Sequence, residues 1–333
     1  MPVDPVKNTQ EDAQVIKRTC AAVVLAVLPL VAAAQQFPQR PVRMVVPLTP
    51  GSGADIAGRI VGRQLGEMWK QTVVIDNRPG AGGQIGTSVV VRAAPDGHTL
   101  LVQSSSHAVN PAIYKNLPYD SLKDLVDVAT LGSAPYAMVT APSGPYRPLK
   151  ALIDGAKAKP GEIAFASAGV GTSTHLTGEY FAQSAGVKLL HVPFKGSAEA
   201  LQDVAAGRVA FYMAPISTAI GLINDKRLAV LGVANAKRIS MLPNVPTIAE
   251  QGLAGFEMDV WFGVWAPAAT PRPILQKLAA DIRTSLESRE VRDQYAKLGM
   301  EPNGIYLDEF AKFVRVEMAK YEKVVKRADI QPM

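Results

Sequence analysis

A short apolar run that opens into a loop of glycine and hydroxyl residues, and then into a helical stripe, recurs along this chain, and few folds accommodate it. Residues 42–46 form such a run, stopped by Pro47 as a buried strand would be. After the loop Leu48-Thr49-Pro50-Gly51-Ser52-Gly53, the residues Ile56, Ile60, Val61, Leu65 and Met68 follow at three- and four-residue spacing, which predicts an amphipathic helix. Residues 72–75 give a second strand. Pro79-Gly80-Ala81-Gly82-Gly83 then turns into a helix through Val91, and Pro95-Asp96-Gly97 marks a further turn. Residues 99–102 make a third strand, running out into Gln103-Ser104-Ser105-Ser106. Alternation of this kind predicts a parallel sheet with helices on its faces.

The pattern returns further on. Residues 163–166 read as a strand before Ser167-Ala168-Gly169-Val170-Gly171-Thr172-Ser173 and a helix to about Ser184. Residues 189–192 precede Pro193-Phe194-Lys195-Gly196-Ser197 and a helix to Ala206. Residues 209–213 precede Ala214-Pro215-Ile216-Ser217-Thr218, a helix, and a strand over 228–233. Two α/β modules of similar plan therefore stand in tandem. Between them, residues 133–148, with Pro135, Pro142, Pro145 and Pro148, read as a linker or crossing segment. The last stretch differs. Trp261-Phe262-Gly263-Val264-Trp265-Ala266-Pro267 is strand-like, and Thr270-Pro271 opens a helix to about Glu287. A second helix ends at Gly299 and a third begins near Asp308. Helices without strands cannot form a third module, so they are expected to pack back on an earlier one.

At 333 residues, 48% hydrophobic and 19% charged, the chain is long enough for about two domains and too apolar to be disordered. Its one cysteine, Cys20, excludes a disulfide framework and a Cys-based zinc site. That cysteine begins an apolar run after Lys17-Arg18 that ends in Val31-Ala32-Ala33-Ala34, the order of a signal peptide cleaved after Ala34. An uncleaved anchor is disfavoured, because a membrane span needs about 20 apolar residues. Residues 1–34 balance Lys7, Lys17 and Arg18 against Asp4, Glu11 and Asp12, so the net charge of +6 stays with the remainder. No basic stripe interleaved with aromatics is present, which argues against nucleic acid as a partner.

In open α/β sheets, ligands bind beyond the carboxyl ends of the strands. Those ends carry Thr49, Gly51, Ser52 and Gly53, then Ser104 and Ser105. In the second module they carry Gly169, Gly171, Thr172 and Ser173, then Pro215 and Ser217. Small residues allow close backbone approach, and helix N-termini offer free N–H groups at the positive end of a dipole. A hydrogen bond to a charged group contributes roughly 1.5–3 kcal/mol. Two termini facing one carboxylate would thus reach a micromolar Kd, about −8 kcal/mol, without an arginine. Ordinary βα turns also use glycine and caps, so the argument rests on matching loops in both modules. Asp55 either caps its helix or meets a ligand, and Thr172 and Ser173 are candidate caps with the same ambiguity. His175 either orients a ligand group or is structural. Lys195, the one cation in these loops, either contacts the ligand or is solvated.

Enzyme readings find little support. Gly80-Ala81-Gly82-Gly83-Gln84-Ile85-Gly86 departs from the dinucleotide fingerprint, follows the second strand, and has no phosphate-loop lysine. No GxSxG elbow occurs, and the histidines at 98, 107, 175 and 191 lack metal-ligand spacing.

Five ordered motifs carry a family resemblance. They are Val45-Val46-Pro47-Leu48-Thr49-Pro50-Gly51-Ser52-Gly53-Ala54-Asp55, Asp76-Asn77-Arg78-Pro79-Gly80-Ala81-Gly82-Gly83, Ala94-Pro95-Asp96-Gly97-His98-Thr99-Leu100, Phe194-Lys195-Gly196, and Leu242-Pro243-Asn244-Val245-Pro246-Thr247-Ile248-Ala249-Glu250-Gln251-Gly252. Over about residues 37–330 the chain resembles the Bug-type periplasmic solute receptors of tripartite tricarboxylate transporters. The resemblance implies a type II-like periplasmic-binding-protein clamshell of class α/β, with two mostly parallel sheets flanked by helices and two hinge crossings. Domain 1 would hold residues 35–137 and 258–333, including the C-terminal helices, and domain 2 residues 138–257. The implied function is that of a non-catalytic, monomeric receptor without cofactor or metal. It would capture a small carboxylate (a di- or tricarboxylate, an aromatic acid or an acidic amino acid) and deliver it to membrane permease subunits. A receptor feeding a signalling sensor and an exported α/β enzyme are the rival readings.

In the family, the first-strand loop holds a ligand carboxylate through backbone groups and ordered waters. The resemblance carries this to Thr49, Gly51, Ser52, Gly53 and Asp55, and the opposite loops to residues 169–173, Phe194-Lys195-Gly196 and residues 215–217. The sequence departs from the pattern at Leu48, where an aromatic is common, at Ser52 for Gly, and at His98 and Phe194 for Tyr. Leu48 and Phe194 alter the pocket wall.

Overall fold

The computed structural model describes residues 37–327 and 330; the expected signal peptide, residues 1–34 with Cys20, lies outside them. Apolar runs become strands and periodic stripes become helices in alternation. β1 (Val42–Val46) leads into α1 (Gly53–Trp69), β2 (Val73–Asn77) into α2 (Gln84–Val91), and β3 (Thr99–Ser104) into α3 (Ser106–Ile113). β4 (Leu125–Thr140) and α4 (Leu149–Ala158) come next, followed by β5 (Ala164–Ser167) and α5 (Ser173–Ala185). Then come β6 (Leu190–Pro193), α6 (Ser197–Ala205), β7 (Phe211–Pro215), α7 (Ile216–Asn224) and β8 (Ala229–Val233). β9 (Asp259–Pro267) precedes α8 (Arg272–Glu287), α9 (Arg289–Lys297) and α10 (Leu307–Arg327).

The strands form one nine-stranded sheet in the order β2-β1-β3-β9-β4-β7-β5-β6, with β8 also paired to β4. β1 is parallel to β2 and β3, and β5 is parallel to β6 and β7, as βαβ connections require. β4 joins the two parallel sets. It runs antiparallel to β9 as far as the Pro135–Asp259 pair, then antiparallel to β7 from Tyr136 and to β8 from Ala137.

Residues 133–148 therefore need correction as a linker. Residues 133–140 belong to a 16-residue strand, and only the turn beyond it precedes α4. Pro135 is tolerated because it stands where the ladder changes partner, so no strand amide is required of it. α3 and α4 were not anticipated either. Pro111 inside α3 and the serines before it mask the helical pattern.

Packing follows burial. In α1, Ala57, Val61 and Leu65 are buried against the first parallel set, and Gly58 and Gly62 let the helix approach it closely. Each large apolar side chain so buried contributes about 1.5–3 kcal/mol. The second set has its own core, in which Val139, Leu201, Val204 and Tyr212 are buried together. The C-terminal helices return to the first set, as expected from their lack of strands: α8 packs on α1 and β4, and α10 on α3 and β4. Indole donors fix them. Trp261 donates to Glu317 of α10 at 3.0 Å, and Trp69 donates to Asp281 of α8 at 2.6 Å. No helix among the described residues is long and apolar enough to cross a membrane.

Candidate functional site

The carboxyl ends of β1 and β3 meet those of β5, β6 and β7 around a small enclosed chamber of about 20 Å3. From the first set it is lined by Thr49, Ser52, Gly53, Ser104 and Ser106. The second set supplies Thr172, Ser173, Thr174, Gly196, Ser197 and Pro215, and β9 supplies Val260 and Phe262. The first residues of α1, α5 and α6 (Gly53, Ser173 and Ser197) all border this space, so positive helix ends converge on it. No lining residue of the chamber is charged. A wider cleft of about 570 Å3 opens beside it. Its wall includes Leu48, Tyr114, Phe194, Lys195 and the glycine-rich turn 79–83.

The two sides touch directly. Ser106 Oγ accepts the Ser173 amide at 2.9 Å, Tyr136 donates to Ser173 Oγ at 2.8 Å, and Tyr114 donates to the Val170 carbonyl at 2.9 Å. Gly196 faces Thr49 so closely that a Cβ there would collide with its hydroxyl. Gly171 sits at φ +77°, in the left-handed region, and a Cβ there would run into the Tyr114 ring. Burial pushes the Tyr212 hydroxyl up to about 12 and raises Tyr136 further, so both are neutral hydrogen-bonding groups. Thr49 Oγ1 and Ser217 Oγ are buried without a hydrogen-bond partner among the described residues. Ser217 Oγ lies 3.6 Å from where a Cβ of Gly53 would stand, facing the N-terminus of α1.

Several expected site residues stand behind the wall. Ser52 caps α1 by accepting the Asp55 amide at 3.3 Å and also lines the chamber. Asp55, only 2% exposed, accepts from the Gly51 amide at 2.9 Å, from Asn77 at 2.9 Å and from Arg59 at 2.9 Å. The Asn77 amide also donates to the Leu48 carbonyl at 3.1 Å. Gly51 and Asp55 are thus placed as a brace for the loop, and neither lines the chamber or the cleft. Ser105 is buried beneath, its amide donating to the Trp261 carbonyl at 2.8 Å. Gly169, Phe194 and Lys195 line the wider cleft, and Thr172 lines both spaces.

His175 also lies behind its loop. Its Nδ1 accepts the Gly171 amide at 3.4 Å, and its ring stacks on His191 at 4.0 Å between centroids. His191 Nε2 lies 2.6 Å from Ser167 Oγ, which accepts the Gly169 amide at 3.1 Å. Ser167 Oγ and His191 Nε2 share a hydrogen bond, and burial, followed by the neighbouring His175, pushes His191 down to about 3, so its imidazole is neutral. Glu179 lies 3.6 Å from His175 Nε2, so this trio has the composition of a metal site. Its geometry does not fit one. Rings only 19° from parallel cannot both aim an in-plane lone pair at one ion, and His175 Nδ1 and His191 Nε2 already face Gly171 and Ser167.

Ser106 joins the site from the strand-end loop 104–106 expected there, and Thr174, Ser197, Tyr114 and Phe262 join it beyond the expected residues. Ser106 and Ser197 stand in loops recognised from the sequence. Tyr114 comes from a segment that carries no local signal and Phe262 from a strand-like run, and only tertiary packing brings them in.

The family model described as "tripartite tricarboxylate transporter family receptor" (TctC) matches residues 57–330. The UPF0065 protein in the tcbD-tcbE intergenic region of Pseudomonas sp. strain P51 is 38% identical over 93% of this chain and 93% of its own length. Protein BugT of Bordetella pertussis is 36% identical over 88% of this chain and 90% of its own. The solved structure of R. palustris Rpa4515 with adipate superposes with a TM-score of 0.86 at 33% identity, covering 89% of this chain and all of that one. Architecture and sequence agree: the fold is the two-domain α/β clamshell of periplasmic binding proteins, and the chain belongs to the Bug-type receptors of the tripartite tricarboxylate transporter family.

Proposed function

We propose that this protein is a periplasmic receptor that binds a small carboxylate between its two lobes and hands it to the membrane subunits of a tripartite tricarboxylate-type transporter. The observation that carries the reading is the chamber itself. Three helix N-termini and a ring of hydroxyls converge there with no charged residue, and Thr49 presents a buried, unpartnered hydroxyl. Such a site is suited to one anionic head group, held by dipoles and backbone amides and not by a salt bridge. Family membership supports the receptor role over catalysis, and the adipate in the R. palustris relative supports a carboxylate.

The lobes in this reading are residues 35–137 with 258–333, and residues 138–257, turning about the β4 and β9 crossings. Ser106–Ser173 and Tyr114–Val170 would be the latches of the closed form. The site residues proposed to meet the ligand are Thr49, Ser52, Gly53, Ser104, Ser106, Thr172, Ser173 and Ser217. Gly51, Asp55, Ser105, Gly171 and His175 hold them in place.

A thermal-shift and calorimetric screen of carboxylates tests the reading, with small-angle scattering to follow closure. Stabilisation by a carboxylate together with a smaller radius of gyration is expected. Stabilisation by a nucleotide and by no carboxylate would overturn it. Pull-down with membrane subunits separates transport from delivery to a signalling sensor.

A further inference from the structure

Resting on that receptor reading, we infer that the ligand is an acid with a single carboxylate and an uncharged, apolar body, and that the cleft selects against second and third carboxylates. The chamber, at about 20 Å3, has room for one small head group, since a single water already requires roughly 10–15 Å3. Anything larger must extend into the neighbouring cleft of about 570 Å3. There the wall is apolar: Leu48, Pro79, Tyr114, Val170 and Phe194 line it.

The charged residues of that wall are Lys195 and Glu199 alone, and they are of opposite sign. Glu199 is fixed. It lies in the first turn of α6, and its Oε2 accepts the Lys195 backbone amide at 3.3 Å. The mouth thus carries one exposed charge of each sign. A distal carboxylate on the ligand would lie along the apolar wall and meet Glu199 beside Lys195. Taking an anion out of water without a full partner is costly. An apolar body, in contrast, gains from burial against Leu48 and Phe194. At both positions the side chain is purely hydrocarbon, so neither can hydrogen-bond a polar substituent.

Calorimetry on the purified protein with matched acids tests this. Hexanoate is paired with adipate, benzoate with phthalate, and citrate is the third class. Expected are Kd values at least tenfold lower for hexanoate than for adipate and for benzoate than for phthalate, with citrate weakest. Glu199→Gln should narrow the hexanoate–adipate gap about fivefold, and Leu48→Asn should weaken hexanoate about tenfold. Adipate, phthalate or citrate binding more tightly than its single-acid counterpart overturns the inference and leaves the receptor reading standing. Binding of no carboxylate at all overturns both. A Glu199→Gln variant that folds and leaves the gap unchanged removes the role assigned to the mouth.

Discussion

The loop ahead of α1 and the loop ahead of α5 face each other across one chamber, and they are braced by opposite chemistry. The first is held by a buried carboxylate. Asp55 gathers the Gly51 amide, the Asn77 amide and the Arg59 guanidinium, so its charge is matched before it reaches the site. The second is held by imidazoles, with His175 taking the Gly171 amide and His191 bonded to Ser167, which takes the Gly169 amide. Both routes keep fixed charge away from the chamber. An anion site of this design leaves recognition to dipoles and shape, and the two braces differ in strength and in response to acid.

The largest effect is expected from Asp55→Ala. It frees the Gly51 and Asn77 donors and leaves Arg59 to solvent, for a loss of about 3 kcal/mol in stability from hydrogen bonds to a charged group. Ligand affinity should fall about a hundredfold, as measured by denaturant unfolding and calorimetry on the same preparation. Equal affinity in wild type and variant would show that this brace does not shape the site.

His191→Phe keeps the stacked ring and removes the hydrogen-bond partner of Ser167. An affinity loss of about tenfold is expected, with a smaller stability change than for Asp55→Ala, because one neutral hydrogen bond contributes about 1 kcal/mol. His191→Gln, which can still accept, should recover part of the affinity.

Acid separates the braces further. In the folded chain His191 stays neutral down to about pH 3, whereas an unfolded histidine binds its proton near 6.5. The unfolded state therefore holds more protons in that window. The contribution of His191 is complete above about pH 6.5 and is lost as the pH falls toward 3. Asp259, at the start of β9, works in the other direction. Burial, then Glu257 nearby, raises it to about 6, so the folded chain keeps a proton that the unfolded chain has released from about pH 4 upward. Asp259→Asn should therefore raise stability at pH 7, by on the order of 2 kcal/mol, and change little at pH 3. A gain of the same size at both pH values would mean that the ionised form is not the cause.

The smallest effect is expected from Lys195→Ala. Its amide contact with Glu199 is made by the backbone, and its ammonium forms no ion pair among the described residues. Affinity for a single-carboxylate acid should change less than threefold.

Much of the fold was legible because its units are local. An apolar run, a glycine loop and a three- and four-residue stripe suffice for β1–α1 or β5–α5. β4 was hidden by its one proline, since Pro135 signals a break, whereas a partner change within the ladder makes it harmless. The site was legible to the same depth. Loops at strand ends announced Thr49, Gly53, Ser104, Thr172 and Ser173. Whether Asp55 and His175 faced the ligand or the loop depends on Asn77, His191 and Ser167, which are distant in sequence or not aligned by any periodicity, as well as on Arg59 one helical turn away. Phe262 reaches the chamber only because β9 returns between β3 and β4.

β4 also has a mechanical consequence. A connection made of loose chain would let the two halves drift apart at little cost and return at random. Here the connection is a strand that is laddered along its whole length, to β9 on one side of Pro135 and to β7 and β8 on the other. In the proposed closure, opening would twist a shared sheet, and the motion would be that of a stiff leaf spring with one preferred path. Such a spring restores the alignment of the two sets of helix ends each time it recoils, with little search over orientations.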